Sequence, residues 1–182
     1  MDQLLFLRKF IDDPRHIGSV APSSNSLTKK MLGGLDWENF NHVAELGTGT
    51  GVFTDYIMQH KRLNCKFLGI EQDYEMRQNL QEKYPEIYWG AQAENLCAIL
   101  KKYNFPQLDC VVSGLPFAVL DKSVRLQIME NVTQALAPGG IFVAFQYSLQ
   151  MRSTLKKYFD AVKIEFTLFN LPPAFVYFCH NN

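Results

Sequence analysis

The apolar positions of this chain fall into short runs separated by segments with helical periodicity. Seven runs predict strands, near residues 43–46, 67–70, 87–89, 109–113, 141–145, 162–168 and 174–179. Helical patterns lie at about 53–61, 74–83, 94–102, 122–136 and 149–158. Repeated β-α-β units predict an α/β fold, in which a largely parallel sheet carries helices on both faces and binds ligands beyond the carboxyl ends of its strands.

A different pattern precedes the first strand. Residues 2–12 put four apolar side chains on one stripe of a predicted helix, namely Leu4, Leu7, Phe10 and Ile11. Pro14 ends this helix, whose stripe either packs on the core or dips into lipid headgroups. A turn at 22–25 is predicted to cap a second helix, which runs to Leu32 and stops at Gly33.

Length and charge restrict the class of protein. The 182 residues are 47% hydrophobic and 20% charged, which predicts one globular domain spanning residues 1–182. The 18 basic residues balance 18 acidic ones, so no global attraction to nucleic acid is expected and nucleic acid is an unfavoured partner. Nothing resembles a signal peptide or a membrane-spanning run, so we expect a cytoplasmic protein.

The cysteines and histidines give no metal-ligand spacing, so no metal site is predicted. Cys65 begins one apolar run and Cys110 lies within another, which favours buried thiols in a reducing compartment.

The first strand ends in a glycine-rich turn, with Glu45 near the end of the strand and glycines at 47, 49 and 51. Glycine lets such a turn close tightly and keeps Cβ atoms away from a ligand. A strand, a glycine-rich turn and a helix often bind adenosine-containing cofactors. A dinucleotide fingerprint would place its third small residue at position 52, where this chain has Val52, so the spacing disfavours a dinucleotide. The alternative is a glycine-rich turn that binds no cofactor.

The pattern Glu45-x-Gly47-x-Gly49-x-Gly51 resembles motif I of the class I S-adenosylmethionine-dependent methyltransferases. The resemblance implies that these residues, with Thr48, pass beneath the methionine and ribose parts of S-adenosylmethionine. S-adenosylhomocysteine is then the expected product.

Two further turns are predicted to complete the cofactor site. Glu71 closes the second strand, where a carboxylate can accept both ribose hydroxyls, although a solvated strand-end glutamate is the alternative. Gln72 beside it is predicted to line the adenine pocket. After the third strand this class often has Gly-Asp-Ala, whose acid accepts from the adenine amino group. Here the matching residue is Gln92, followed by Ala93 and then by Glu94, which either replaces it as acceptor or caps the next helix.

The fourth strand ends Ser113-Gly114-Leu115-Pro116-Phe117, at the corner that faces the transferable methyl group in this class. Adenine methyltransferases have Asn/Asp-Pro-Pro-Tyr or Asn-Leu-Pro-Tyr at this corner, and their polar side chain holds the amino group while the aromatic ring stacks on the base. Gly114 stands where the asparagine would be, so this corner fits a nucleobase amine poorly.

Three stretches make the chain similar to the bacterial phospholipid N-methyltransferases, which methylate phosphatidylethanolamine. They read IGSVAPS at 17–23, SGLP at 113–116 and NLPPAFVY at 170–177. The resemblance covers nearly the whole chain. It implies a Rossmann-like core of seven strands at 36–182 and a helical lid or membrane-contact segment at 1–35, with peripheral contact through residues 1–12 on the inner face of the membrane.

The resemblance also implies a direct displacement, in which a neutral amine attacks the sulfonium methyl group and positioning supplies most of the acceleration. Tyr147 is predicted to orient the amine and Ser113 to accept a hydrogen bond from it, and Ser113 is also expected to contact the cofactor. Phe117, Tyr147 and Tyr177 are candidates to hold the methylammonium by cation–π contact, together with Gly114, Leu115 and Pro116 as the substrate-binding corner. For each aromatic residue, plain core packing is the alternative.

Three other functions stay open at this point: an rRNA or DNA adenine N6-methyltransferase, a protein that binds the cofactor without catalysis, and a small-molecule amine methyltransferase. Leu115, Pro116 and Phe117 favour the first, whereas Gly114 and the zero net charge disfavour it.

Overall fold

The computed structural model describes residues 21–168 and 172–181. Within these residues the helices are α1 Ala21–Leu32, α2 Val52–His60, α3 Tyr74–Lys83, α4 Leu96–Lys102, α5 Lys122–Ala135 and α6 Arg152–Tyr158. The strands are β1 His42–Leu46, β2 Lys66–Ile70, β3 Tyr88–Gly90, β4 Leu108–Ser113, β5 Leu136–Gln146, β6 Ala161–Thr167 and β7 Ala174–His180. Short 3₁₀ turns at Ala93–Asn95 and Leu149–Met151 precede α4 and α6.

All seven strands form one sheet in the order β3-β2-β1-β4-β5-β7-β6. Every pairing from β3 to β5 is parallel, and β7 runs antiparallel between β5 and β6. The strand order reverses direction between β1 and β4, and ligands of open α/β sheets bind at such a point beyond the carboxyl ends. The α/β, Rossmann-like fold predicted from the sequence is therefore confirmed.

Two hydrophobic clusters cover the two faces of this sheet. In one cluster, α4, α5 and α6 pack against strand residues such as Leu68, Val111 and Phe142. The other packs α1, α2 and α3 against the opposite face, with Val43 and Val112 among its strand residues. Side chains alternate between the faces along each strand, so neighbouring residues of β1 belong to different clusters.

Two predicted boundaries differ from the structure. The segment at 22–25 lies inside α1, which begins at Ala21, rather than in a capping turn. Strand β5 begins at Leu136, before Pro138 and Gly139, because Leu136 already pairs with Leu108. A register shift between Leu108 and Cys110 accommodates Pro138 and Gly139 as an irregularity inside the strand.

Several predictions about the N-terminal region lie outside the described residues. These include the helix at 2–12 and most of the stretch at 17–23. Residues 170 and 171, which begin the stretch at 170–177, also lie outside the described residues. Among the described residues, no helix is both long and apolar enough to cross a membrane.

Candidate active site

The turn between β1 and α2 contains three glycines in the left-handed region of the backbone map. Their φ angles are 75° at Gly47, 53° at Gly49 and 89° at Gly51. Side chains with a Cβ rarely adopt these angles, so the turn depends on glycine at all three positions. Gly51 precedes the first residue of α2, whose N-terminal turn therefore begins directly at the predicted cofactor site.

Glu45 is fully buried beneath this turn. Its Oε2 atom accepts a hydrogen bond of 2.7 Å from the hydroxyl of Thr54, which lies in the first turn of α2. Its Oε1 atom has no hydrogen-bond partner in the described part of the chain, and the same is true of the buried Thr48 Oγ1. The pKa of Glu45 is raised to about 8, mainly by burial and also by the nearby carboxylates of Glu71 and Asp55, while the hydrogen bond from Thr54 lowers it.

Glu71 approaches the turn from the end of β2. Its Oε2 atom accepts a hydrogen bond of 2.7 Å from the backbone N–H of Gly49, and its Oε1 atom accepts one of 2.9 Å from the backbone N–H of Asp73. The structure therefore brings Glu71 to the glycine turn, as the strand-end pattern predicts. Its role toward ribose stays a prediction. Gln72 is exposed next to it.

The turn after β3 holds the three residues predicted to lie near adenine. Gln92 is exposed, and its Oε1 atom accepts a hydrogen bond of 2.8 Å from the amide of Asn95. Ala93 is buried. Glu94 lies within the 3₁₀ turn Ala93–Asn95 rather than at its cap, because Gln92 occupies that position.

The corner after β4 packs directly against the glycine turn. The backbone N–H of Gly114 donates to the carbonyl of Leu46 at 2.9 Å. A Cβ atom at Gly114 would lie 2.7 Å from the carbonyl oxygen of Gly47, closer than real Cβ contacts. Ser113 is fully buried, and its hydroxyl accepts a hydrogen bond of 3.2 Å from the N–H of Leu115.

Two side chains that the sequence analysis missed hold this corner. Gln146, the buried last residue of β5, donates from its amide nitrogen to the carbonyl of Leu115 at 3.0 Å. Arg125 of α5 donates to the carbonyl of Phe117 at 3.2 Å. A polar residue closing an otherwise apolar strand was the available signal for Gln146, whereas nothing in the sequence pairs Arg125 with this loop.

The three aromatic candidates lie on different sides of the sheet. Phe117 and Tyr177 are fully buried in the cluster with α4, α5 and α6, and the Tyr177 hydroxyl donates to the carbonyl of Ser148 at 3.1 Å. Burial raises the pKa of Tyr177 to about 12. Tyr147 is half-buried on the opposite side, with its ring 5.6 Å from that of Phe145.

An aromatic series connects Tyr147 to the corner. The ring of Phe145 lies 6.0 Å from that of Phe53, the second residue of α2, and an atom of the Phe53 ring would lie 3.7 Å from a Cβ at Gly114. These contacts place Phe53 beside Gly114 and put Tyr147 on the same face of the sheet as Phe53. The structure does not bring Phe117 or Tyr177 to the same side.

Residues 43–140 match the family described as "Methyltransferase domain". With the sheet order, the glycine turn and the acidic residues that meet there, this match places the chain in the class I S-adenosylmethionine-dependent methyltransferases, to which it belongs. A relative named ornithine lipid N-methyltransferase, from Singulisphaera acidiphila, is 34% identical over 184 residues, which span 98% of this chain and 95% of the relative.

Solved structures show the same fold at lower identity. The N-methyltransferase NodS from Bradyrhizobium japonicum, in complex with S-adenosyl-L-homocysteine, is 15% identical, with a TM-score of 0.66 over 93% of this chain and 92% of that one. A T. thermophilus 16S rRNA methyltransferase, in complex with AdoMet and guanosine, is 22% identical, with a TM-score of 0.65 over 91% of this chain and 44% of that one.

The residues present fit S-adenosylmethionine. A Cβ atom at Gly49 would meet nothing within 4 Å, so the turn is open at this glycine, and Glu71 binds the backbone N–H of the same residue. Buried polar atoms normally have partners, so the unpaired oxygens of Glu45 and Thr48 indicate that a polar ligand group completes the site. Within residues 21–168 and 172–181, no group of three or more His, Cys, Asp and Glu side chains is arranged to hold a metal ion.

Proposed function

We propose that the protein transfers methyl groups from S-adenosylmethionine to the amine of a membrane aminolipid. The relative from S. acidiphila, similar over nearly its full length, supports a lipid acceptor. Its name favours ornithine lipid, whereas the sequence motifs resemble enzymes that methylate phosphatidylethanolamine. Both headgroups end in a primary amine, so one site chemistry serves both.

The observation that carries this proposal is the contact between Gly114 and the glycine turn. A side chain at position 114 would collide with the Gly47 carbonyl oxygen, so the corner has no space for the amide or carboxylate that holds a nucleobase amine. Phe117, which would have to stack on a base, is fully buried instead. Both facts favour a flexible alkyl amine over the adenine-methyltransferase alternative.

The protein's contribution to the reaction is positioning and exclusion of water. The bound cofactor supplies an activated methyl group on a sulfonium. Ser113 and Tyr147 are proposed to orient the amine through their hydroxyl groups, and the Tyr147 ring is proposed to hold the methylated product by cation–π contact, worth on the order of 1 kcal/mol. The burial of Phe117 and Tyr177 favours packing roles for both.

Contact with a membrane surface is part of the same proposal, since the acceptor resides in a bilayer. The apolar stripe of residues 1–12 is the first candidate for it. Among the exposed apolar side chains of the described residues, Leu149, Phe166 and Leu168 are further candidates for this contact. We therefore propose a cytoplasmic protein that binds the inner membrane face peripherally.

One assay separates the alternatives. Purified protein with S-adenosylmethionine labelled in its methyl group would be offered phosphatidylethanolamine vesicles, ornithine lipid vesicles, rRNA and small amines. Label in the lipid extract supports the proposal, and the better vesicle substrate identifies the headgroup. Label only in rRNA, only in small amines, or in none of the four would overturn it.

A further inference from the structure

Glu45 is a buried acid with one carboxyl oxygen that accepts a hydrogen bond and one that has no hydrogen-bond partner in the described residues. Thr54 Oγ1 lies 2.7 Å from Oε2, while Oε1 has no partner in the described part of the chain. An unpaired buried polar atom costs about 1–3 kcal/mol, so an arrangement that leaves one beside a cofactor turn is expected to serve a ligand.

We propose that Thr54 is a positioning residue that holds Glu45 for the ammonium group at the amino-acid end of the cofactor, and that binding of this group releases a proton. Thr54 lies at the start of α2, and its hydroxyl donates a hydrogen bond to one carboxyl oxygen of Glu45. The other oxygen is left for a cationic donor. This inference rests on the cofactor of the proposed function but is independent of the acceptor.

Burial, and to a smaller extent the charges around Glu45, favours the neutral form of its carboxyl group in the free protein. Glu71 from the end of β2 and Asp55 from α2 both oppose its ionisation, and the pKa of Glu45 is raised to about 8. Two lysines of helices on this face of the sheet form ion pairs with carboxylates other than Glu45. Lys83 of α3 is paired with Asp55 at 2.9 Å, and Lys30 of α1 is paired with Glu165.

The strand neighbours of Glu45 do not titrate, since its register partners on β2 and β4 are Gly69 and Val112. At pH 7 the carboxyl group of the free protein therefore carries a proton. The ammonium group keeps its hydrogens, the carboxyl proton passes to the buffer, and an ion pair forms in place of the neutral acid.

Thr54 favours the ionised form, because its hydrogen bond lowers the pKa of Glu45 against the effect of burial. Thr54→Val keeps the shape of the side chain and removes the donor. Thr54→Ser keeps the donor and serves as the matched variant. The expected loss of affinity for the ammonium-bearing ligand in Thr54→Val is roughly tenfold at pH 7.

Calorimetry with two ligands tests the proposal. S-adenosylhomocysteine carries the ammonium group, whereas 5′-methylthioadenosine shares the adenosine part and lacks the amino-acid end. Titrations at pH 7 in phosphate and in Tris, whose ionisation enthalpies differ, count the protons released. We expect wild type to release about one proton with S-adenosylhomocysteine and none with 5′-methylthioadenosine.

The wild-type affinity for S-adenosylhomocysteine should rise between pH 6 and pH 8. In Thr54→Val this rise should move to higher pH, and the affinity for S-adenosylhomocysteine at pH 7 should fall. The affinity of Thr54→Val for 5′-methylthioadenosine should be unchanged. Thr54→Ser should bind both ligands like wild type. Equal losses of affinity for both ligands in Thr54→Val would indicate a structural role for Thr54 and overturn the proposal. Unchanged binding in Thr54→Val, or no proton release in wild type, would also overturn it.

A wild type that binds neither ligand would instead overturn the cofactor assignment itself. Normal proton-linked binding without methyl transfer would refute only the proposed function.

Discussion

At the scale of single residues, Gly114 connects the cofactor turn to the acceptor corner. Its N–H binds the Leu46 carbonyl, so its backbone is fixed to the end of β1. Its α-carbon faces the Gly47 carbonyl so closely that a Cβ would lie at 2.7 Å. The absence of a side chain here therefore determines both the shape of the turn and the chemistry available to the acceptor.

Gly114→Ala is expected to displace the Gly47 turn, because neither backbone can move freely. Overpacking of this kind typically costs about 1–3 kcal/mol, so the melting temperature should fall and the affinity for S-adenosylhomocysteine should drop at least about tenfold. Gly34→Ala is the matched control, since a Cβ at Gly34 meets nothing within 4 Å. Thermal unfolding and calorimetry measure both effects. A Gly114→Ala variant that behaves like Gly34→Ala would show that the corner tolerates a side chain.

The same scale shows what the sequence could predict about the site. Glu45 and Glu71 were predicted because each stands at a strand end, and strand ends can be recognised from apolar runs. Thr54 and Gln146 were missed because their roles depend on where a side chain points after folding. Neither residue belongs to a motif, and their partners lie 9 and 31 residues away.

At the scale of elements, the loop from Ser113 to Phe117 is held by hydrogen bonds from two directions. Gln146 at the end of β5 binds the Leu115 carbonyl, and Arg125 of α5 binds the Phe117 carbonyl. These bonds fix the loop relative to the sheet. The acceptor corner is therefore a rigid part of the fold.

Gln146→Met should loosen this loop, because the Leu115 carbonyl loses its donor while the side-chain volume is kept. We expect kcat to fall about tenfold or more with S-adenosylhomocysteine affinity near wild type, since the glycine turn is untouched. Gln107→Met is the control, because Gln107 makes the same type of bond, to Leu136 at 3.3 Å, near the opposite end of β4 and β5. Steady-state kinetics of both variants check this. Equal kcat values for the two variants would contradict a role for Gln146 in the loop.

Element boundaries were predicted well where periodicity alone determines them. The helix predicted at 74–83 coincides with α3, and the strand predicted at 43–46 lies within β1. The start of β5 was predicted wrongly, because proline and glycine normally end a strand. Here the tertiary pairing of Leu136 with Leu108 extends the strand past them. Such long-range pairing cannot be read from local composition.

At the scale of the whole molecule, the two edges of the sheet differ. The carboxyl edge holds the cofactor turn and the Ser113–Phe117 loop. Leu149 follows β5 there, and β6, which runs parallel to β5, ends there at Thr167. Phe166 and Leu168 at this end are 50% and 71% exposed, and Leu149 is 42% exposed. The helix next to Leu149, α6, carries Arg152, Lys156 and Lys157 and no acidic residue.

A membrane that presents its lipid amine to the site must approach the carboxyl edge. Replacing Leu149, Phe166 and Leu168 by serine should therefore weaken co-sedimentation with anionic vesicles by at least about tenfold, since each large apolar side chain contributes up to about 1.5–3 kcal/mol when fully buried. Leu63→Ser is the matched control. Leu63 is 96% exposed but precedes β2, at the amino edge. Cofactor binding should be unchanged in every variant.

A variant lacking residues 1–12 completes this experiment, because the apolar stripe of that segment is the alternative contact. If the triple-serine variant and the truncation each lower vesicle binding, both surfaces face the bilayer. If only the truncation does, the carboxyl-edge side chains do not contribute. An equal loss in Leu63→Ser would mean that binding is nonspecific, since one flat bilayer cannot touch opposite edges of the sheet at once.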